Sequence, residues 1–421
     1  MAKARQYRDS LYGKVSLDPE LEALAEKPLV QRLRHVRLSN IDSVDAPGIA
    51  GLTRFEHVLG VAHLASEVGF LSKLSQTEAM LLKASALLHD WAITSFGHLV
   101  EEALQYVGSG FDHQERLSEI SMGATSDEIG GEHRQILVGR ETGLRDWLWK
   151  VTGSRQGSDK LLSGIQDTIR GTGQFGKVIS GDIDLDNVDN VFRMAYHLGL
   201  AVDRALPIRL ASAMSAVDQK TGNIVFNRSA RGDIEIWRSV RTEVYENLML
   251  APHDFAGKLM LLFSTIRCFE EGEIRKVDWS LTDSHFITGL LASGVKEARE
   301  TAARWVSGEL WNCTPLEWMS GDRPTYPRMR AFSRLLSDRL DRTCLAYAIA
   351  DKRHRKLSIC FEDGSALTTG HSPQQWLLGI GSPERRAFSA SEIAAIYKHA
   401  LDMLDARAIG PASSQAQLAL L

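Results

Sequence analysis

An apolar helical turn, Ala84 to Leu88, ends on His89 and Asp90 side by side, two side chains able to hold a metal ion. A second imidazole, His57, lies upstream on an apolar stripe of its own, and three carboxylates, Asp182, Asp184 and Asp186, follow downstream. Imidazole nitrogen and carboxylate oxygen together suit a divalent ion such as Mn, Fe, Co or Mg. An ion so held makes water acidic and neutralises charge on a phosphoryl oxygen. Arg54 stands about one helical turn before His57, so both can face one pocket, where a guanidinium would grip phosphate through paired hydrogen bonds. His98 and His113 are two further imidazoles that titrate near neutral pH, and either could pass a proton to a leaving oxygen. Residue type alone leaves open which of the three aspartates is the fourth ligand.

The order His57, His89-Asp90, Asp186 resembles the HD phosphohydrolase superfamily, named for its adjacent histidine and aspartate. Gln31 to Arg37 resembles the arginine-rich opening of that family, and Thr53 to Val61 the segment around its first ligand. Leu87 to His98 resembles the HD motif and the phenylalanine and histidine beyond it, and Asp184 to Arg193 the stretch carrying the last ligand. Over roughly residues 31–268 the chain is similar to one branch, the deoxynucleoside triphosphate triphosphohydrolases. The resemblance implies that His57, His89, Asp90 and Asp186 bind one divalent metal (Mn, Mg, Fe or Co), which selects Asp186 among the three aspartates. It implies phosphate contacts from Arg54, His98 and the positions of Asn187 and Asn190, with His98, His113 and Asp90 as catalytic groups. The implied reaction is attack of water at the α-phosphorus, releasing nucleoside and triphosphate, and the implied assembly is a homo-oligomer.

The sequence departs from that pattern around the substrate. Leu38 stands where the family has a sugar-reading glutamine, Ile93 where it has a histidine, Asn187 for a phosphate-binding lysine, Asn190 for a tyrosine and Met194 for an aspartate. Loss of the lysine weakens charge matching to a triphosphate. Loss of polar readers at Leu38 and Met194 removes partners for a sugar hydroxyl, and an apolar wall discriminates hydroxyls poorly. The expected substrate is therefore a nucleotide held in an altered pocket. Two alternatives stay open: a phosphatase or phosphodiesterase acting on a nucleoside monophosphate or other phosphoester in the same site, and a catalytically weak nucleotide-sensing or scaffold protein.

Apolar residues recurring every three or four positions must position these groups on helices. The periodicity predicts helices over Arg54–Leu71, Ser75–Leu88, Asp189–Ala205, Ile234–Leu250 and Pro252–Cys268, with two more pieces across Thr282–Val306. Ser75 and Glu78 have capping-box spacing, and Thr282 is a candidate cap. Strand signals are few, and the clear candidates are Gly222–Asn227, as one arm of a short hairpin, and Lys356–Phe361. Ser126–Glu141 and the glycine-rich Thr152–Val178 read as irregular, and the tail from Gly410 as frayed. The fold class expected is mainly α, an HD-type helical core with a few short strands and a small mixed α/β C-terminal region. Prolines near residues 308–327 suggest a division into 1–308, with the core at about 28–205, and an appended 309–421.

The 421 residues, 24% charged with a formal net charge of -4, are those of a water-soluble protein and give no global pull toward nucleic acid. The cluster Arg32, Arg34 and Arg37 keeps a nucleic-acid role open without favouring it, and reads as a solvated face or as nucleotide-facing charge at an oligomer contact. Four scattered cysteines form no CxxC pair and fit a reducing cytoplasm. No apolar run is long enough to cross a membrane.

Overall fold

The computed structural model describes residues 5–39, 44–121, 143–353, 356–370 and 374–411, so the stretch at 126–141 and most of the tail lie outside the described residues. The fold is mainly α. After an antiparallel hairpin, Gln6–Asp9 against Gly13–Ser16, three helices form the frame of the candidate site: Arg54–Glu67, Gln76–Leu88 and Leu185–His197. Each starts on a side chain that accepts a backbone N–H of its first turn: Thr53 from Glu56, Ser75 from Glu78 and Asp184 from Asn187. These caps satisfy amides that have no partner inside the helix. Ser75 and Glu78 bond reciprocally, as their spacing predicts. Val58, Val61 and Leu64 of the first helix, Leu82 and Leu87 of the second, and Val188, Val191 and Phe192 of the third are buried in one core. Each such burial contributes on the order of 2 kcal/mol.

Two expectations need correction. The third helix runs Leu185–His197 rather than 189–205: Asp184 caps it early, and the Leu200 amide returns to the Ala195 carbonyl with Gly199 left-handed between them, which ends it. A separate short helix, Leu206–Ser212, follows. The glycine-rich stretch also holds a regular helix, Arg155–Ile169, capped by Ser154 and burying Leu161, Ile165 and Ile169. Gly164 faces the Gln76–Leu88 helix, where a Cβ would come within 2.9 Å of a Leu81 methyl and shift that side chain. The later helices, Arg231–Met249, Pro252–Glu270, Asp283–Ala292 and Lys296–Val306, fall within a few residues of their predicted spans, and Thr282 caps the third of them.

The strands join the helical part to the C-terminal region. Ile224–Phe226 pairs antiparallel with Met214–Val217 and parallel with Leu357–Phe361, which in turn pairs with Ala366–Thr369. A strand from beyond residue 309 thus extends a sheet begun in the helical part. A second sheet is built from the C-terminal region alone, with Gln375–Ser382 bonded to Asn312–Cys313, Glu317–Ser320 and Leu345–Ala350, and Arg407–Pro411 at one edge. Leu345, Trp376, Leu378 and Ile380 of that sheet share a core with Phe255, Leu259, Leu262 and Phe263 of the Pro252–Glu270 helix. Among the described residues no helix is long and apolar enough to cross a membrane.

Candidate active site

His57 projects from the first turn of its helix, His89 and Asp90 follow directly on the end of the second, and Asp186 sits in the first turn of the third. His57 Nε2 lies 3.2 Å from His89 Nε2, 3.0 Å from Asp186 Oδ1 and 4.0 Å from Asp90 Oδ2. His89 Nε2 lies 3.6 Å from Asp90 Oδ2 and 3.8 Å from Asp186 Oδ1. Atoms bound at about 2.1 Å to one ion stand roughly 3–3.5 Å apart; His57, His89 and Asp90 form one compact group that could hold an ion, and Asp186 approaches it from the His57 side.

The other ring nitrogens are committed elsewhere. His57 Nδ1 donates to Asp189 Oδ2 at 2.7 Å and His89 Nδ1 to the Ala86 carbonyl at 2.8 Å, which leaves both Nε2 lone pairs aimed at the centre. Burial opposes charge on His57, yet hydrogen bonds to Asp186 and Asp189 and their negative charge push its pKa up to about 9. Burial would raise Asp90, but Arg54, His89 and His57 hold it well below the usual carboxylate range. Burial and the neighbouring Asp186 push Asp184 up to about 8. The field that draws a proton onto His57 draws a divalent cation equally, and the residues present fit such an ion.

Around this cluster stand the phosphate-binding and proton-transfer candidates. Arg54 is buried and its Nη1 donates to Asp90 Oδ2 at 2.5 Å. The chain reverses at Phe96 and Gly97, both at positive φ, and the next helix opens on His98. His98 Nδ1 donates to Glu101 Oε2 at 2.8 Å, and His113 Nδ1 meets both oxygens of the same carboxylate at 3.1 Å. Burial would raise Glu101, but hydrogen bonds from His113 and His98 hold it well below the carboxylate range. Burial would lower His113, and the hydrogen bond and charge of Glu101 more than offset this, so its pKa is raised. The Asn187 amide turns back on Asp184 at 3.0 Å. Asn190 Oδ1 and Arg54 Nε are buried with no hydrogen-bond partner among the described residues.

Arg54, His89, Asp90, His98, His113, Asp186, Asn187 and Asn190 line one cavity of about 490 Å³. Leu38, Met194, Leu248 and Tyr245 form an apolar wall, and Arg241, Asp351, Lys352, Lys356, Gln374 and Gln375 complete it. The arginine-rich segment does not behave as a solvated face throughout. Arg32 is buried, donates to the carbonyls of Ile93 and Leu281, and lies over Trp279, while Arg37 stacks on Phe96 at 4.7 Å and pairs with Asp283. Arg34 alone of the three is exposed. Sequence reasoning missed Asp189, which holds His57 and is gripped by Arg193 at 2.8 and 2.9 Å. It also missed Glu101 and the cavity-lining residues past 309. The first two carried a signal, each lying three residues after a named group on the same helix.

No protein-family model matches the chain. It is 24% identical over 220 residues to deoxynucleoside triphosphate triphosphohydrolase SAMHD1 of Mus musculus, a match covering 46% of this chain and 32% of that protein. It is 28% identical over 114 residues to the metal-dependent phosphohydrolase cns2 of Cordyceps militaris, covering 25% and 29% respectively. An uncharacterised protein of Methanocaldococcus jannaschii is 26% identical over 194 residues, 46% of this chain and 34% of that one. The chain thus spans about a third of the length of the curated relatives it matches. Two solved structures share its fold. One is a phosphohydrolase from Bacteroides thetaiotaomicron, with TM-score 0.61 and 17% identity over 91% of this chain and 100% of the other. The other is a hypothetical protein from Aquifex aeolicus, with TM-score 0.65 and 19% identity over 96% and 100%.

Proposed function

We propose that the protein is a metal-dependent phosphohydrolase of the HD type acting on a nucleotide, with triphosphohydrolase chemistry in an altered pocket. The observation that carries this reading is the convergence of Asp90 Oδ2 and Asp186 Oδ1 on the paired His57 and His89 Nε2 atoms, each carboxylate oxygen within 3.0–4.0 Å of both imidazole nitrogens, beside a polar cavity. A divalent ion bound there supplies Lewis acidity, sharpening the acidity of water and neutralising a phosphoryl oxygen. Arg54, already anchored by Asp90, holds a phosphate oxygen through its remaining donors. Glu101 orients both His98 and His113. His98, half-exposed on the cavity wall, donates to phosphate, and His113 keeps the proton that a leaving oxygen needs. The phosphohydrolase names of the curated relatives support the same class.

The spent amide of Asn187 favours one second reading. With no lysine at that position, the site suits a shorter phosphoester, hydrolysed by the same groups to orthophosphate.

The test is product analysis. The full chain, loaded in turn with Mn, Mg, Fe and Co, is incubated with ribo- and deoxyribonucleotides and the products are separated by ion exchange. Nucleoside with intact triphosphate is expected, and orthophosphate would move the assignment to the second reading. Asp90→Ala should reduce turnover to background while the circular dichroism spectrum is retained. Undiminished activity in chelated, metal-free protein would sink the proposal.

A further inference from the structure

The C-terminal region contributes cations to the cavity from elements that lie far from the metal-ligand motifs in the chain. Lys352 follows two residues after the strand Leu345–Ala350, and Lys356 directly precedes the strand Leu357–Phe361. Both lysines line the same cavity as His89, Asp90 and Asp186. The first of these strands belongs to the C-terminal sheet and the second to the sheet shared with the helical part, so each lysine is anchored by a different sheet.

Their position is tied to the proposed proton-transfer helix. Tyr347, on the strand leading to Lys352, donates to Glu102 at 2.6 Å, and the buried Lys258 ammonium pairs with Glu102 at 3.0 Å while lying over the Tyr347 ring. Glu102 is the neighbour of Glu101, which orients His98 and His113. The local charges also leave the lysines available. Asp351, the acid next to them, is matched by Arg353 at 3.0 and 3.2 Å. Among the described residues neither Lys352 nor Lys356 has a carboxylate within ion-pair distance, and Lys352 lies 5.8 Å from the Tyr245 ring centroid on the apolar wall.

Two exposed ammonium groups facing a cavity that already holds a metal-type cluster and Arg54 provide for more negative charge than one phosphate carries. We propose that Lys352 and Lys356 bind the distal phosphates of a nucleotide polyphosphate, whose reacting phosphate lies at the His57–His89–Asp90–Asp186 cluster. The inference deepens the nucleotide phosphohydrolase reading and rests on it for the placement of the reacting phosphate. The missing lysine at Asn187 is then compensated from elsewhere on the cavity wall, by a region of the chain in which the sequence carries no motif.

The test measures binding, so that it stands apart from turnover. Inorganic tripolyphosphate, orthophosphate and a panel of nucleoside triphosphates are titrated calorimetrically into the full chain and into Lys352→Gln/Lys356→Gln, with and without Mn. Both side chains are exposed, so the substitution leaves the core untouched. Exposed charge pairs are individually weak, and the double substitution should weaken tripolyphosphate binding about tenfold and orthophosphate binding far less. Unchanged tripolyphosphate affinity in the double variant overturns the proposal, as does an equal loss for both anions or no tripolyphosphate binding by the parent chain. Tripolyphosphate binding as tightly as every nucleotide overturns the nucleotide half of it. Lysine-dependent binding without turnover of any nucleotide would sink the hydrolase reading and leave the anion site standing.

Discussion

Proton inventory is the quantity to measure at the scale of single residues. Three groups, His98, Glu101 and His113, form a chain in which one carboxylate serves two imidazoles. Burial alone would strip the proton from His113, and the facing charge of Glu101, assisted by Asp90 and Asp112, retains it. A histidine whose folded pKa is raised contributes stability in full below the unfolded value of about 6.5 and loses it as pH rises through the folded value. The same proton is the one proposed for the leaving oxygen. Turnover should therefore fall on the alkaline side, at a pH above 6.5, where an ordinary histidine would already be neutral. His113→Gln should remove that limb and lower kcat by about 10²-fold or more. Profiles of kcat against pH for both proteins check this, and an alkaline limb that survives in the variant would assign the proton to another group.

The helices matter through how closely they approach one another. The Arg54–Glu67 and Leu185–His197 helices meet at Gly60, where a Cβ would lie 2.0 Å from Asp189 Oδ1 and 2.3 Å from Arg193 Nη2. In an ordinary helix interior Gly→Ala stabilises by about 1 kcal/mol. Here the methyl must displace a buried ion pair that also holds His57 in place, and disrupting such a pair costs about 3–5 kcal/mol. Gly60→Ala should thus lower stability by about 2 kcal/mol or more, against helix propensity. It should weaken Mn binding by about tenfold, because the partner that orients the imidazole proposed as a metal ligand has moved. Urea denaturation and an Mn titration read the two effects, and a more stable variant would show that the approach is looser than the geometry states.

At the level of the whole molecule the question is whether the two halves can be separated. We retain residue 308 as a proposed boundary on the grounds of chain composition, while the packing couples both sides of it. Phe255, Leu259, Leu262 and Phe263 are buried among residues of the C-terminal sheet, and Ile224–Phe226 pairs with Leu357–Phe361. Removing residues 309–421 would expose that apolar surface and leave a strand edge open, both aggregation liabilities. The full chain should unfold in one cooperative calorimetric transition, and residues 1–308 expressed alone should aggregate or lack that transition. A truncated chain that melts cooperatively at the parent temperature would establish two independent units.

The sequence alone determined the candidate quartet and most of the helices, because both are written in local pattern. His89 and Asp90 are adjacent, His57 and Asp186 each stand in a short recognisable segment, and amphipathic periodicity with Ser75 or Thr282 at a cap marks a helix whatever surrounds it. The misread stretches, Arg155–Ile169 and Leu185–His197, are those where glycines or an early cap hid the period until a neighbouring helix explained them. Partnership was decided only by the tertiary structure. Asp189 looks like any helix aspartate until His57 and Arg193 close on it, and Arg32 like a surface charge until Trp279 covers it. Lys352 and Lys356 leave no trace in local pattern because they flank strands, where no periodicity singles out a charge at a strand end, and because the cavity that gives them meaning is walled by helices from the other end of the chain.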